Sequence, residues 1–279
     1  MLPELKTDTS EIKQIEIKKF HNGITLDKTD CLIVEAPLEI QLCLDGERPA
    51  KSISVTMRTP ENDLELAVGF LYTEGIIKNY NCISHVSYPK ENIIRLHYKT
   101  ETDVNLSAAQ RNFYTTSSCG VCGKSSIESV IVKSPFEIEN QTVSCKMSTL
   151  LKLKEALNHN QFLFAQTGGN HAAALFSTNG DLLLLKEDVG RHNAMDKIIG
   201  AQLIAQQLPL SNSILLLSGR SSFELIQKAA MAGIAIIASV GAPSSLAYDL
   251  AKANNQTLVG FLKSNTCNIY THDQRIITE

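Results

Sequence analysis

Two cysteines, Cys119 and Cys122, stand in a C-x-x-C spacing within Thr115–Ser126, TTSSCGVCGKSS. Their neighbours are small, polar and glycine-bearing, so the pair is predicted on a mobile loop. A structural zinc site needs four ligands, commonly two such pairs. No second pair exists here: Cys31, Cys43, Cys82, Cys145 and Cys267 stand singly, and no His-x-x-x-His follows. Dithiol–disulfide exchange usually sits where a buried strand turns into a helix, and RNFYTTSS before Cys119 is no such strand. The third chemistry is sulfur carriage, in which a thiolate holds a persulfide. Lys124 is close by, and Ser125–Ser126 can open a helix in SSIESVIV. A cation and a helix N-terminus both lower a thiol pKa. An exposed pair with no chemistry is the remaining alternative.

A second group of polar residues falls where apolar segments end. Three such turns are Ser218–Ser222, Val240–Ser245 and Lys263–Thr266. Strand ends of an open α/β sheet that run into helix N-termini present amides, hydroxyls and the helix dipole to an anion. Gly241, Ser244 and Ser245 supply this at one turn, and Arg220 and Lys263 add charge. A phosphate-bearing ligand is the functional reading; ordinary helix capping by serine and glycine is the plain one. Neither a Walker A lysine pattern nor G-x-G-x-x-G is present. Two more clusters are dense in polar groups, TGGNHAA around His171 and EDVGRHN from Glu187 to Asn193. Asp188, Arg191 and His192 in the second either contact a ligand or cap the helix that starts at Asn193.

The elements that must position these groups follow from periodicity. Ile15 and Ile17 alternate with charge as a strand, after a tail to about residue 12 that reads as disordered. Leu38–Leu44 and Ile53–Met57 alternate as a hairpin across Asp45–Gly46. Thr59–Pro60, with Glu61 and Asp63, reads as the start of a helix that ends at Gly75. ISHVSY and NIIRLHY read as strands about a turn at Pro89, giving an α+β N-terminal part with antiparallel pairing. Ser148 is expected to cap a helix to about Asn158, and FLFAQ, HAAALFS and DLLLLKE read as strands, the last two joined at Asn179–Gly180. From Asn193, helices alternate with SILLLS, IAIIASV and TLVGFLK, strands apolar on both faces, which is the parallel β/α pattern. The expected organisation is an N-terminal α+β domain over residues 1–112, the C-x-x-C loop over 113–127, and an α/β domain over 128–279.

The chain has 279 residues with a formal net charge of -3, which gives no footprint for nonspecific nucleic-acid binding. No apolar run approaches membrane-spanning length, and the polar start MLPELKTDTSEIKQ is unlike a signal peptide. Seven cysteines without framework spacing fit free thiols in a reducing cytoplasm.

TSSCGVCG, TGGNHAAALF, EDVGRHNAMDKIIG, SGRSSFELIQKAAMAG, LVGFLK and the C-terminal YTH together resemble the FdhD family, sulfur carriers required for formate dehydrogenase activity. The resemblance runs from the Thr59–Gly75 helix to the C-terminus. It implies a cytoplasmic homodimer whose C-terminal three-layer α/β domain is similar to cytidine deaminases. It implies sulfur transfer from a cysteine desulfurase to the molybdenum, or tungsten, bis(molybdopterin guanine dinucleotide) cofactor as bound substrate. Cys119 then carries the persulfide and Cys122 assists. The family's cofactor-binding segment maps onto Leu262, Lys263, Ser264, Asn265, Thr266 and Cys267, LKSNTC here, which carries fewer charges than such a segment is expected to have. Deaminase chemistry is not expected: Ala172–Ala173 follow His171 where H-x-E is needed, and Ser118 replaces the proline before Cys119.

Overall fold

The structure is a computed structural model that describes residues 10–44, 49–99, 104–105, 132–138 and 142–278. Cys119, Cys122, Lys124 and the Asp45–Gly46 turn lie outside the described residues. Strands β1 (Ile12–His21) and β2 (Ile24–Ile33) form a separate antiparallel ribbon. It reverses at Asn22–Gly23, both at positive φ (49° and 82°), as a two-residue hairpin turn demands. Ile12, placed in the expected tail, is the first residue of β1 and is buried.

Strands β3 (Ala36–Leu44) and β4 (Lys51–Arg58) pair antiparallel, and helix α1 (Asp63–Thr73) follows. The helix begins three residues after Pro60 because Glu61 and Asn62 both take left-handed backbone angles. Thr59, the expected cap, is instead buried in a tertiary network described below. Strands β5 (Ile83–Lys90) and β6 (Ile93–Tyr98) complete a four-stranded sheet of order β4-β3-β6-β5. Its central pair, β3 with β6, runs parallel, which corrects the all-antiparallel expectation. Pro89 lies inside edge strand β5, where the register with β6 shifts and no ladder hydrogen bond is required of it. The turn falls at Glu91–Asn92.

Strand β7 (Cys145–Lys146) leads into helix α2 (Met147–Asn160). FLFAQ is helical: α3 spans Phe162–Thr167. The Glu187 carboxylate accepts the N–H groups of Leu163 and Phe164, both at 2.9 Å. A distant side chain therefore caps this helix, a signal absent from the local sequence. Strands β8 (His171–Ser177) and β9 (Leu182–Asp188) form the expected hairpin. Helix α4 (Arg191–Ile204), β10 (Ser213–Leu217), α5 (Phe223–Met231), β11 (Ile236–Ser239), α6 (Ser245–Ala253), β12 (Thr257–Gly260) and β13 (Asn268–Thr271) follow, and β14 (Ile276–Ile277) pairs with β7. The main sheet has the order β13-β12-β11-β10-β8-β9. β10, β11 and β12 are parallel, flanked by antiparallel β8 and β13.

Alternate residues of these strands feed two apolar clusters. Ala173, Leu175, Leu215, Leu217, Ile237 and Leu258 pack with α4, α5 and α6. Ala174, Phe176, Ile214, Leu216, Ile236 and Val259 pack with α2. The result is three layers, α/β/α. The first cluster continues through α1 into Leu38, Ile40, Leu42, Ile94 and Leu96 of the smaller sheet. No helix among the described residues is long and apolar enough to cross a membrane.

Candidate functional site

β10, β11 and β12 end on one edge of the main sheet, and their exit loops are tied together there. Gly241 N–H donates to Gly219 O (2.9 Å), Ser221 N–H to Ala242 O (3.2 Å), Ser244 N–H to Ser221 O (3.0 Å) and Phe261 N–H to Gly241 O (3.0 Å). A Cβ on Gly241 would meet Gly219 O and Arg220 Cγ at 3.0 Å, so glycine is what lets the first two loops approach. Ser218–Ser222, Val240–Ser245 and the segment after β12 are thus brought together. The first turns of α5 and α6 open on this edge, and their leading amides have no partner inside the helix. Arg220 and Lys263 are exposed beside them, as are Ser244 and Ser245. Ser221 is buried, and its hydroxyl has no hydrogen-bond partner among the described residues.

The segment expected to touch a cofactor divides in two. Leu262 is fully buried in the apolar cluster that also holds Leu216 and Ala238, and acts in packing. Lys263, Ser264, Asn265 and Thr266 are exposed, in a turn closed by Lys263 N–H to Thr266 O at 2.8 Å. Cys267 is half-buried against Met147, and desolvation raises its thiol pKa. Phe261 leads into this turn at φ 52°, a strained left-handed conformation for an aromatic residue.

β8 runs antiparallel to β10, so its first residue, His171, starts beside the loop that leaves β10. The ring lies against Gly219: a Cβ there would be 3.3 Å from its Cε1 and Nδ1. Burial lowers the His171 pKa below 6.5, and Arg191 and His192 push it the same way. Burial thus favours the uncharged form of the His171 ring, against the opposing pull of Asp188. His192 Nε2 lies 2.7 Å from Glu224 Oε2 and 3.3 Å from Ser222 Oγ, linking the N-termini of α4 and α5. Arg191 and His192 lie close enough to His171 for their charges to act on its ring.

Asp188 is not in reach of a ligand, because it is wholly buried. One oxygen accepts Thr59 N–H at 3.2 Å and pairs with Lys197 Nζ at 2.8 Å. The other accepts Gly190 N–H (2.8 Å) and Asn193 Nδ2 (3.0 Å). Asp188 sets the β9–α4 turn and so positions Arg191 and His192.

Below His171 a cleft of about 520 Å³ opens between α2, the Gly168–Asn170 turn and the sheet edge. Leu157 and Val240 give it apolar walls, and Lys154, Asn158, Gln161, Asn170, His171 and Ser218 give it polar ones. Asn170 Nδ2 donates to Glu187 Oε1 at 3.0 Å, while its buried Oδ1 has no partner among the described residues. An apolar recess with a few converging polar groups suits a small molecule, and the free carbonyl oxygen calls for a donor. Lys154, Gln161 and Glu224 were missed in the sequence: each sits in an unremarkable amphipathic stretch, and only the fold aims it here. Among the described residues, no group of three or more His, Cys, Asp or Glu side chains is placed to hold a metal ion.

Residues 33–277 match the model of the FdhD/NarQ family. The chain is 44% identical over 271 residues to the sulfur carrier protein FdhD of Mycolicibacterium paratuberculosis, covering 91% of this chain and 94% of that one. It is 45% identical over 249 residues to that of Picrophilus torridus, covering 89% and 93%. A crystal structure from Desulfotalea psychrophila, of a protein assigned as a formate dehydrogenase accessory protein, superposes with a TM-score of 0.71 at 24% identity, covering 96% of this chain and all of that one. At that identity the superposition speaks for the fold.

Proposed function

The chain belongs to the FdhD/NarQ family, and on that premise we propose that it is a sulfur carrier serving formate dehydrogenase. The observation that carries this reading is the state of the other thiols. Cys31, Cys43, Cys82 and Cys145 are buried and Cys267 is half-buried. Burial raises the thiol pKa of Cys82 and Cys267, and pushes that of Cys145 to about 11. A protonated, enclosed thiol is a poor nucleophile. Of the seven cysteines this leaves Cys119 and Cys122, whose sequence setting favours a thiolate.

In the proposed reaction the Cys119 thiolate attacks the terminal sulfur of a persulfide on a cysteine desulfurase. The donor's S–S bond breaks, the donor leaves as a thiolate, and Cys119 holds the new persulfide. Cys122 serves as relay or resolving thiol. The acceptor is the molybdenum, or tungsten, bis(molybdopterin guanine dinucleotide), bound as substrate. Its phosphates fit the edge formed by Arg220, Lys263, Gly241, Ser244 and Ser245, where amides, hydroxyls and two cations converge. The protein acts as an enzyme-like sulfurtransferase in the cytoplasm, and as a homodimer.

The test is to load Cys119→Ala and Cys122→Ala separately from a desulfurase with cysteine and weigh the intact proteins. Cys122→Ala should gain the mass of one sulfur and Cys119→Ala should not. A Cys119→Ala protein that takes up sulfur on Cys122 and still activates a formate dehydrogenase overturns the assignment.

A further inference from the structure

His171 stands where the cleft and the polar edge share a wall. Ser218 and Val240 line the cleft beside it, and they are the first residues of the two loops that carry Arg220, Gly241, Ser244 and Ser245. A Cβ on Gly219 would lie 3.3 Å from two atoms of the ring. The imidazole is therefore packed on the backbone of the first loop, one residue before Arg220. Its ring nitrogens have no hydrogen-bond partner among the described residues. One nitrogen of a neutral ring can donate and the other accept, and both donate once the ring is protonated.

The charges about the ring are unequal. Asp188 lies opposite it across β8 and β9, and Glu187 precedes Asp188. Both carboxylates are committed elsewhere. Asp188 is held by Lys197, Asn193 and two backbone N–H groups, and Glu187 by the leading amides of α3 and by Asn170. Of the cations, His192 on α4 is matched by Glu224 at 2.7 Å. Arg191 on α4, Arg220 on the β10–α5 loop and Lys154 on α2 have no carboxylate partner among the described residues. Burial, Arg191 and His192 accordingly hold the pKa of the ring below its ordinary value, against the pull of Asp188.

A phosphate group at this edge reverses that balance. An opposite charge within about 4–6 Å favours the protonated imidazole. We propose that an anionic ligand enters this edge together with one proton from solvent, which the His171 ring takes up and donates to the ligand in a hydrogen bond. A neutral nucleoside in the same cleft brings no proton with it. Resting on the phosphate edge proposed above, this adds the residue that couples binding to pH. Binding tightens as the pH falls from the midpoint of the ligand-bound ring to that of the free ring, by up to about tenfold per unit.

Calorimetry with GDP at pH 7, in two buffers of different ionisation enthalpy, counts the protons taken up. Wild type should take up more than His171→Gln. The ligand's own protonation is common to both and cancels in the difference. His192→Gln should keep the share that belongs to His171. An NMR titration of the wild-type ring reads the same event without a variant: saturation with GDP should raise its midpoint by about one unit or more, and guanosine should leave it in place. Equal proton uptake by wild type and His171→Gln, or a midpoint unmoved by GDP, overturns the inference and leaves the phosphate edge standing. Uptake lost with His192→Gln instead gives the proton to His192 and overturns it as well. GDP that does not bind wild type removes the edge and the inference together.

Discussion

His171 and Asp188 are cross-strand neighbours, yet they do different things. Asp188 has four protein partners and no exposed surface. His171 reaches the cleft. Burial, Arg191 and His192 hold its folded pKa below the unfolded value of 6.5. The sign follows: the fold prefers the neutral ring. Its contribution to stability is present above pH 6.5, and it is lost as the pH falls through 6.5 to the folded value. An NMR titration of the ring should give a midpoint below 6.5, and His171→Gln should flatten the acid limb of the stability profile. A midpoint at or above 6.5 contradicts the burial argument. Arg220 is tested by calorimetry with GDP, a fragment of the proposed substrate. A charge-assisted hydrogen bond to phosphate is worth about 1.5–3 kcal/mol, so Arg220→Ala should weaken binding by that amount. Equal affinity would take Arg220 out of the site. These side chains could be singled out in the sequence because polar residues gather where its apolar strands end. Asp188 was not separable from them, since its partners Thr59 and Lys197 lie 129 and 9 residues away in the chain.

Among the elements, α1 and α4 set how the two sheets sit together. They touch backbone to backbone at two glycines. A Cβ on Gly69 would lie 1.9 Å from Asp196 O, and one on Gly200 1.8 Å from Glu65 O. Beside this contact Lys228 Nζ bonds both Asp196 oxygens at 2.9 Å and Thr73 Oγ1 at 2.7 Å, tying α5 to α4 and α1. Neither helix can move without disturbing a buried ion pair. Gly69→Ala should therefore cost about 3 kcal/mol or more, at the upper end for overpacking, read as a lower urea midpoint. A loss below about 1 kcal/mol would mean the helices slide apart freely. The same elements show where local sequence runs out. The main-sheet strands were readable because apolar runs with short β/α spacing have few other solutions. The start of α1 and the nature of α3 were misread because Thr59 and Glu187, which decide them, act through tertiary hydrogen bonds. The β1–β2 hairpin carried a plain Asn-Gly signal, but most of its β2 residues lack strict alternation.

At the scale of the whole molecule, Cys119 and Cys122 lie outside the described residues, and the sequence places them apart from the polar edge. The core runs unbroken from the smaller sheet through α1 and α4 to the main sheet, and among the described residues the polar edge is assembled from the segments between α2 and β13. Binding the pterin and carrying sulfur should then be separable. The rival reading, a chaperone that only binds and delivers the cofactor, needs the edge and not the thiols. The double variant Cys119→Ala/Cys122→Ala decides between them. On the loop that their small, polar neighbours predict, the two substitutions should leave stability within about 0.5 kcal/mol of wild type. GDP affinity should also be unchanged. A formate dehydrogenase matured with the double variant should then be inactive, because the edge still holds the cofactor but no thiol brings it sulfur. An active dehydrogenase from the double variant, with nucleotide binding intact, would establish the chaperone and set the sulfur carrier aside.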